Sequence, residues 1–424
     1  MSRKRIVFAT HGTLGDLHPY LAIALELQHR GHQPLIATSQ YHRAKIEAAG
    51  IEFHPLRPDY SLDDKDLHRR LTEPKRGMER IIREFMLPAL RDTYDDLLSA
   101  VQKDGGADLL VSQILIFAAP LIAEKTGVRW VSTELQPGAF MSGYDPPVMA
   151  PAPWLDKLRG LGPTFHRPLF SVAKQQARLW ARPINQLRRE LNLRHENQPL
   201  FAGRHSPRLV LALFSRVFAE PQPDWPSNTQ VTGFPFYDEN ETKLDPELER
   251  FLEAGEPPIV FTLGSSAVWD AGNFFEESVG AAKLLGKRAV LLLGSDPLNQ
   301  PREPLPKDLL AVAYVTYPQI FPHASVIVHQ GGIGTTGQAL RAGKPMLIMP
   351  FGGDQFDNGA RVARLGAGRT IMRRQYLAQR VAAELDQLLS NPGYCERATE
   401  LSRCIQSEDG VRTACDAIEK QMAG

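Results

Sequence analysis

The sequence has few cysteines, and their arrangement excludes two kinds of protein. Its 424 residues include only Cys395, Cys404 and Cys415, all near the C-terminus. A sparse, odd set of cysteines is typical of a reducing compartment and excludes a disulfide framework. The three also lack the paired Cys-x-x-Cys spacing of a structural zinc site.

Long apolar runs and net charge are also lacking. The apolar run after the basic N-terminus covers only residues 6–9, which is shorter than the core of a signal peptide. No run approaches the roughly 20 residues of a membrane span, so we expect a cytoplasmic protein. The net charge of +1 provides no overall field for nucleic acid, and we expect no such partner.

What the sequence does contain is an alternation of short apolar strands and helical patterns. The apolar pattern predicts a helix over 19–30, ended by Gly31. Strands are predicted at 6–9, 35–38, 108–111, 129–132, 259–262, 289–293, 311–315, 325–328 and 346–349. This alternation predicts α/β structure with parallel, doubly wound sheets.

A segment rich in proline and polar residues, 221–235, divides the alternation into two halves. We predict a first domain over 1–220, a linker over 221–240 and a second domain over 241–405. Ligands of such sheets bind outside the carboxyl ends of the strands. Two facing domains therefore place their ligands in the cleft between them.

The most informative stretch is a glycine-rich turn, residues 329–338, between a strand and a predicted helix start near Thr335. Unpaired N–H groups and the positive end of the helix dipole suit a phosphate. The next strand leads to Asp354 and Gln355, which can bind sugar hydroxyls. The pattern therefore favours a nucleotide-sugar site.

The same glycines fit a second hypothesis. Residues 332–337 match the dinucleotide fingerprint Gly-x-Gly-x-x-Gly, and Asp354 lies near the offset of the ribose-binding acid. The late position in the chain argues against it, as do the flanking His329, Gln330 and Gln355, which a dinucleotide does not explain. An oxidoreductase stays open as an alternative.

These segments carry a resemblance to a known family. Gln330-Gly-Gly-Ile-Gly-Thr-Thr-Gly-Gln338, Ala342-Gly-Lys-Pro345 and Asp354-Gln355 resemble the donor-binding signature of family 1 glycosyltransferases of plants and bacteria and their sterol- and rhamnolipid-type relatives. Gly12-Thr-Leu-Gly-Asp-Leu-His-Pro19 resembles their acceptor-side loop. The resemblance implies the GT-B fold, in which two Rossmann-like domains face a cleft. It also implies that a final helix, 406–424, crosses back to the first domain.

On the acceptor side, the resemblance places the catalytic base at Asp16. Removing the proton of an acceptor hydroxyl by a positioned base contributes about 10²–10⁴-fold. Alternatively Asp16 only caps a helix entered at Pro19, and His18 is the rival base. Gln113 stands where plant relatives hold an aspartate that orients a histidine base, and an aspartate base would not need that partner. The predicted acceptor-binding residues are His11, Gln113, Gln136 and Phe140.

On the donor side, we expect the amides of 334–336 and the Ser265 and Ser266 turn to hold a diphosphate. The resemblance puts Gln330 in place of a phosphate-contacting histidine and Gln338 in place of a ribose-binding acid. The full predicted donor set is Gly15, Ser265, Ser266, Tyr317, Gln319, Gln330, Gly332, Gly334, Thr335, Thr336, Gln338, Asp354 and Gln355. Asp64 and Asp66 are predicted to lie in a solvated loop, and no metal is predicted.

Residues 157–195 contain nine Lys or Arg and one acid, Glu190, with apolar residues at helical spacing. This segment is either an amphipathic helix with a solvated face or a peripheral contact with an anionic membrane that presents a lipid acceptor.

Together these features predict an inverting, metal-independent transfer of a hexose from a UDP- or dTDP-sugar to a hydroxyl of a small hydrophobic acceptor. No cofactor beyond the nucleotide sugar is expected. A nucleotide-sugar epimerase, or a non-catalytic protein that binds a sugar nucleotide, are alternatives on the same architecture.

Overall fold

The computed structural model describes residues 3–60, 64–238 and 244–423, which form two parallel sheets. The first sheet has the strand order β3-β2-β1-β4-β5-β6-β7, and the second has the order β10-β9-β8-β11-β12-β13. The strands are β1 Arg5–Ala9, β2 Gln33–Thr38, β3 Glu52–Pro55, β4 Leu109–Gln113, β5 Arg129–Glu134, β6 Val210–Ala212, β7 Thr229–Val231, β8 Ile259–Thr262, β9 Ala289–Leu292, β10 Leu309–Val312, β11 Val326–His329, β12 Met346–Ile348 and β13 Gly368–Thr370. The prediction of two doubly wound α/β domains is confirmed.

Helices cover both faces of the sheets. They are α1 Leu14–His29, α2 Arg43–Ala48, α3 Lys65–Thr72, α4 Gly77–Arg80, α5 Leu90–Gln102, α6 Ala119–Thr126, α7 Gly162–Ala177, α8 Arg182–Glu190, α9 Pro246–Glu253, α10 Gly264–Ala267, α11 Phe274–Leu285, α12 Tyr317–Ile320, α13 Ile333–Arg341, α14 Gln355–Arg364, α15 Ala378–Ser390, α16 Pro392–Gln406 and α17 Gly410–Ala423. Within these described segments, no helix has the length and apolarity needed to cross a membrane.

The central strands are apolar along their whole length because both faces of each sheet are covered. In β1, Val7 and Ala9 enter one core while Ile6 and Phe8 enter the core on the opposite face. All four are fully buried. Burying a side chain of this size stabilises the fold by about 1.5–3 kcal/mol, so the strands anchor the loops that follow them.

Helix α1 begins earlier than the sequence predicted. It starts at Leu14 after the cap residue Thr13, and Pro19 lies inside it instead of opening it. The reason is a capping box: Thr13 and the Asp16 side chain satisfy the first amides one turn before the proline. Asp16 therefore belongs to the first turn of α1, and the prediction that it caps a helix at Pro19 is wrong.

Two polar segments have more structure than predicted. Residues 221–240, predicted to be a linker, contribute β7, which pairs with β6 and extends the first sheet to Val231. Asp64 caps α3, where a solvated loop was predicted, by accepting the Leu67 N–H at 3.0 Å. In one case a neighbouring strand, and in the other a helix cap, gives order to residues whose local composition is polar.

The last helix, α17, packs against α1 in the first domain. Arg30 of α1 pairs with Asp416 at 2.6 Å and Glu419 at 2.8 Å. Cys415 and Ile418 are fully buried in the core of the first domain. The chain therefore returns to the domain from which it started.

Candidate active site

Asp16 lies at the carboxyl edge of the first sheet, in the turn between β1 and α1. Its Oδ2 accepts the Thr13 N–H at 2.8 Å, and its Oδ1 accepts the Gln113 Nε2–H at 2.9 Å. Burial raises the pKa of Asp16 to about 6, although the bonds from Thr13 and Gln113 oppose the rise. A carboxyl with this pKa is mostly ionised at neutral pH. Its pKa is also close enough to neutral pH for the carboxylate to accept a proton during a reaction.

A glycine makes room for this side chain. Gly12 has φ +131°, and a Cβ built on it would collide with the Asp16 carboxylate. His42 Nε2 lies 2.9 Å from the Gly12 carbonyl oxygen, and the Tyr60 hydroxyl donates to the same oxygen. His42 and Tyr60 therefore hold the Gly12 carbonyl group in place. The Asp16 carboxylate fills the space that a side chain on Gly12 would need.

The two histidines of this region occupy different environments. His11 is buried, its Nε2 lies 3.2 Å from the Arg57 carbonyl oxygen, and burial lowers its pKa to about 4. The His18 ring packs against Tyr237 with 5.1 Å between centroids. Because residues two apart on a helix do not face each other, His18 does not share the face of Asp16.

The glycine-rich turn opens α13 as predicted, but the free amides are shifted by one residue. Gly332 is the cap, and the Thr336 N–H closes the first turn on the Gly332 carbonyl oxygen at 2.9 Å. The Thr336 hydroxyl is buried and donates to the same oxygen. The amides of Ile333, Gly334 and Thr335 are therefore the ones left for a phosphate, and the prediction for Thr336 is wrong.

Gln330 lies between the two turns of the donor side. It is buried, and a Cβ on either Gly264 or Gly332 would crowd its amide. Its Oε1 has no hydrogen-bond partner among the described residues. Ser265 is half-buried in the one-turn α10, which begins at Gly264, while the side chain of Ser266 lies outside the described part of the chain.

Asp354 and Gln355 begin α14, beside the turn that opens α13. Asn358 Nδ2 donates to Asp354 at 2.6 Å and to the Gly331 carbonyl oxygen at 2.9 Å, which joins the two loops. The Gln355 Oε1 already accepts the Phe351 and Gly352 N–H groups. Gln355 can therefore offer a sugar its Nε2–H, and Asp354 can offer its second oxygen.

The remaining predicted residues have varied surroundings. The Tyr317 ring stacks on Phe321 at 4.3 Å, and its hydroxyl lies 3.3 Å from Thr262. Gln319 accepts the Thr316 hydroxyl at 2.7 Å. Gln338 and Gln136 are half-buried. Phe140 is only 8 % exposed because Trp225 stacks on it at 4.1 Å, so its ring belongs to the core and not to the cleft wall.

The two halves of the site meet across the cleft. A Cβ on Gly334 in α13 would lie 3.6 Å from the Gly15 Cα in α1, so the starts of these helices touch. Burial raises the pKa of Asp354 to about 7, and the charge of Asp16 adds to the rise. Asp16, the open start of α13 and Asp354 therefore share one cleft.

A buried ionic contact across the cleft was not foreseen from the sequence. Arg361 of α14 pairs with Asp357 at 2.8 Å and with Asp145 of the first domain at 2.6 Å. The Val148 N–H donates to Asp357 at 3.0 Å. No local motif signals this contact, whereas the capping box Thr13-x-x-Asp16 was readable in the sequence.

Comparison with known proteins identifies the family. Residues 6–137 match the model of the glycosyltransferase family 28 N-terminal domain, and residues 290–410 match the C-terminal domain of erythromycin biosynthesis protein CIII-like proteins. O-mycaminosyltylonolide 6-deoxyallosyltransferase of Streptomyces fradiae is 31% identical over 427 residues, which cover 98% of this chain and 97% of that protein. The chain belongs to the family 1 glycosyltransferases.

Further relatives fit this assignment. A sterol 3-beta-glucosyltransferase of Neurospora crassa is 30% identical over 99% of this glycosyltransferase, which spans only 27% of that longer protein. Among solved structures, the spinosyn forosaminyltransferase SpnP has a TM-score of 0.73 at 17% identity, with all of both chains covered. The glycotransferase of kitacinnamycin has a TM-score of 0.70 at 22% identity over the same coverage. These structures show that the fold is GT-B, as predicted.

Asp64 and Asp66 lie at the start of α3. Asp64 is engaged as the cap of α3, and Asp66 is exposed beside Arg69 at 3.7 Å. Within the described residues, no group of three or more His, Cys, Asp or Glu side chains is arranged to hold a metal ion.

Proposed function

We propose that this glycosyltransferase moves a hexose from a UDP- or dTDP-sugar to a hydroxyl of a small hydrophobic acceptor, with inversion and without a metal ion. The observation that carries the proposal is the contact of Gly15 with Gly334. It brings the Asp16 turn of one domain to the open amides of α13 in the other. The transferases of macrolides and sterols among the relatives support a hydrophobic acceptor.

In the proposed reaction, Asp16 accepts the proton of the acceptor hydroxyl, and that oxygen forms a bond to the anomeric carbon. The bond from the anomeric carbon to the diphosphate breaks, and its electron pair leaves with the diphosphate. The amides of Ile333, Gly334 and Thr335 stabilise the departing charge. Asp354 and Gln355 hold the sugar hydroxyls so that the anomeric carbon faces Asp16.

The experiment is a mass-spectrometric screen of hydroxylated hydrophobic compounds against UDP- and dTDP-sugars. We expect a product whose mass increases by one hexosyl residue and whose anomeric configuration is inverted relative to the donor. Interconversion of free nucleotide sugars without an acceptor would instead favour an epimerase. Binding of NAD without binding of UDP would favour an oxidoreductase.

Metal independence is tested by chelation. Helix-start amides can take the diphosphate charge without a cation, so we expect turnover to survive EDTA. Loss of turnover with EDTA and its recovery with Mg²⁺ or Mn²⁺ would overturn this account of leaving-group stabilisation. Modest stimulation by divalent ions would not, because they bind the free diphosphate product and relieve its inhibition.

We also propose that the acceptor is delivered from an anionic membrane surface. Within 157–195, Phe170 and Ile184 are buried. Val172 of α7 is exposed, and so are Leu161 and Leu179, which flank this helix. No acid occurs between Asp156 and Glu190. An exposed apolar stripe with basic flanks suits an anionic lipid surface.

Vesicle sedimentation tests the membrane contact. We expect co-sedimentation with vesicles that contain phosphatidylglycerol and little with pure phosphatidylcholine. Leu179→Glu should weaken it, whereas Leu284→Glu, at a site of similar exposure (61 % against 63 %) in the second domain, should not. Equal binding by both variants would assign 157–195 to an ordinary solvated surface.

A further inference from the structure

The amide of Gln113 has a fixed orientation. Gln113 ends β4 and is 5 % exposed. Its Oε1 accepts the His11 N–H at 3.0 Å and lies 3.4 Å from the Thr10 hydroxyl. Because a backbone N–H can only donate, the oxygen must face His11, and the NH₂ group must face the other way.

That NH₂ group faces the base. Gln113 Nε2 donates to Asp16 Oδ1 at 2.9 Å, while Thr13 binds the other oxygen. A hydrogen bond from a fixed donor favours the carboxylate over the carboxylic acid and limits its rotation. No orienting partner for an aspartate base was predicted at this position, but the Gln113 amide contacts Asp16 directly.

We propose that Gln113 is the residue that positions the base. Its amide holds Asp16 as an oriented carboxylate, and an amide donor at this position suits an aspartate at position 16. The inference rests on the proposed role of Asp16. A histidine base donates its second ring N–H and needs an acceptor, such as an aspartate. An aspartate base offers only acceptors and needs a donor, which a glutamine amide supplies.

Other titratable groups face this turn from several elements. Tyr20 on α1, Tyr60 after β3 and Asp354 across the cleft each have a raised pKa to which the charge of Asp16 contributes. Glu134, at the end of β5, also faces Tyr20. Burial lowers the pKa of His11 and of His42, which keeps these rings neutral at pH 7. Any measurement must therefore report on Asp16 itself.

The test uses Gln113→Glu, which keeps the acceptor for the His11 N–H and removes the donor for Asp16. The introduced glutamate and Asp16 then lie side by side and hold one proton between them. The pair is therefore fully ionised only at a higher pH than Asp16 is in the parent. We expect the acid limb of the pH profile of kcat/KM to move up on the order of one pH unit or more. UDP affinity should stay unchanged, and kcat should fall more than the acceptor KM changes.

A second readout does not depend on turnover. The carboxyl ¹³C shift of Asp16, assigned by its absence in Asp16→Asn, should titrate higher in Gln113→Glu than in the parent. Gln113→Met, which removes the donor without adding charge, should move it in the same direction and serves if the glutamate variant does not fold. Gln406→Glu is the matched control, because the Gln406 Nε2 also donates, at 2.8 Å to the Arg341 carbonyl oxygen, from an exposed position on α16.

The two readouts separate the inference from the proposed function. If the ¹³C titration of Asp16 is the same in the parent and in both Gln113 variants, the positioning role is overturned. If that titration moves while the acid limb of activity stays in place, Gln113 does control Asp16, but Asp16 is not the base. If both move, the inference and the assignment of the base are supported together.

Discussion

At the scale of single residues, two cleft carboxylates with similar burial have different surroundings. Asp16 is held by donors on both oxygens, from Thr13 and Gln113, whereas Asp354 receives Asn358 on one oxygen. The Asp16 carboxylate therefore has a fixed orientation, while Asp354 keeps one oxygen for a ligand. This difference agrees with the proposed roles of Asp16 as the base and of Asp354 as a ligand of the sugar.

The pH dependence of transfer should follow Asp16. Its pKa of about 6 means that the carboxylate is lost as the pH falls through 6, and a protonated carboxyl cannot accept a proton. We therefore expect kcat/KM for the acceptor, at saturating donor, to rise with pH and level off above about 6–7. A rate that falls between pH 5 and 7 would contradict the assignment.

Replacing Asp354 should affect the sugar more than the nucleotide. Asp354→Ala removes a hydroxyl acceptor, so we expect a raised donor KM and a lower kcat, since a loosely held sugar misplaces its anomeric carbon. Calorimetry should show that UDP alone binds as before. A large loss of UDP affinity would mean that Asp354 holds the nucleotide or the loop.

Residue identities were the part of the site most accessible from sequence. Asp16, Asp354 and Gln355 lie in short motifs whose meaning is local, and the structure brings these motifs to one cleft. The partner Gln113 is 97 residues from Asp16, and only the pairing of β1 with β4 brings them together. No spacing rule reveals such a bond.

At the scale of elements, the turn from β1 into α1 and the start of α13 form the site. Strand types were predictable because buried parallel strands are continuously apolar. Helix starts were less so: the prediction relied on Pro19, whereas the capping box at Thr13 decides the start of α1. Likewise the position of Gly332 as cap decides which amides of α13 are free.

Gly12→Ala should distort the turn between β1 and α1, which carries Asp16. The new Cβ would collide with Asp16, and φ +131° strains any L-residue, which costs about 1–3 kcal/mol. We expect transfer to fall roughly tenfold or more, because small misplacements of reacting groups are costly. The control is Gly31→Ala, at φ +90° with open space around its Cβ. It should lose stability but keep activity, and equal loss of activity in both would contradict the account.

At the scale of the whole molecule, ionic contacts join the two domains around the cleft. Besides Arg361 with Asp145, Lys65 of α3 pairs with Asp296 of the second domain at 2.7 Å. Asp145 and Arg361 are 216 residues apart. The sequence predicted two domains and a cleft, but no pattern in it encodes which loops meet across that cleft.

Arg361→Gln should lower the free energy of unfolding of the protein. Arg361 is 4 % exposed, and its loss leaves Asp357 without its cation and Asp145 with Arg159 alone. Breaking a buried pair costs about 3–5 kcal/mol, measurable as the free energy of unfolding in urea. Arg364→Gln is the control: it removes a more exposed pair with Asp156, worth less than about 1 kcal/mol. Similar small losses in both variants would show that the cross-cleft contact adds little.

Asp16→Asn tests whether Asp16 is the base of the transfer. The amide keeps the size of the side chain but cannot accept the proton. With a productive acceptor, we expect single-turnover transfer to fall roughly 10²-fold or more, while UDP affinity and the free energy of unfolding change little. Near-normal transfer by a correctly folded Asp16→Asn would contradict the account.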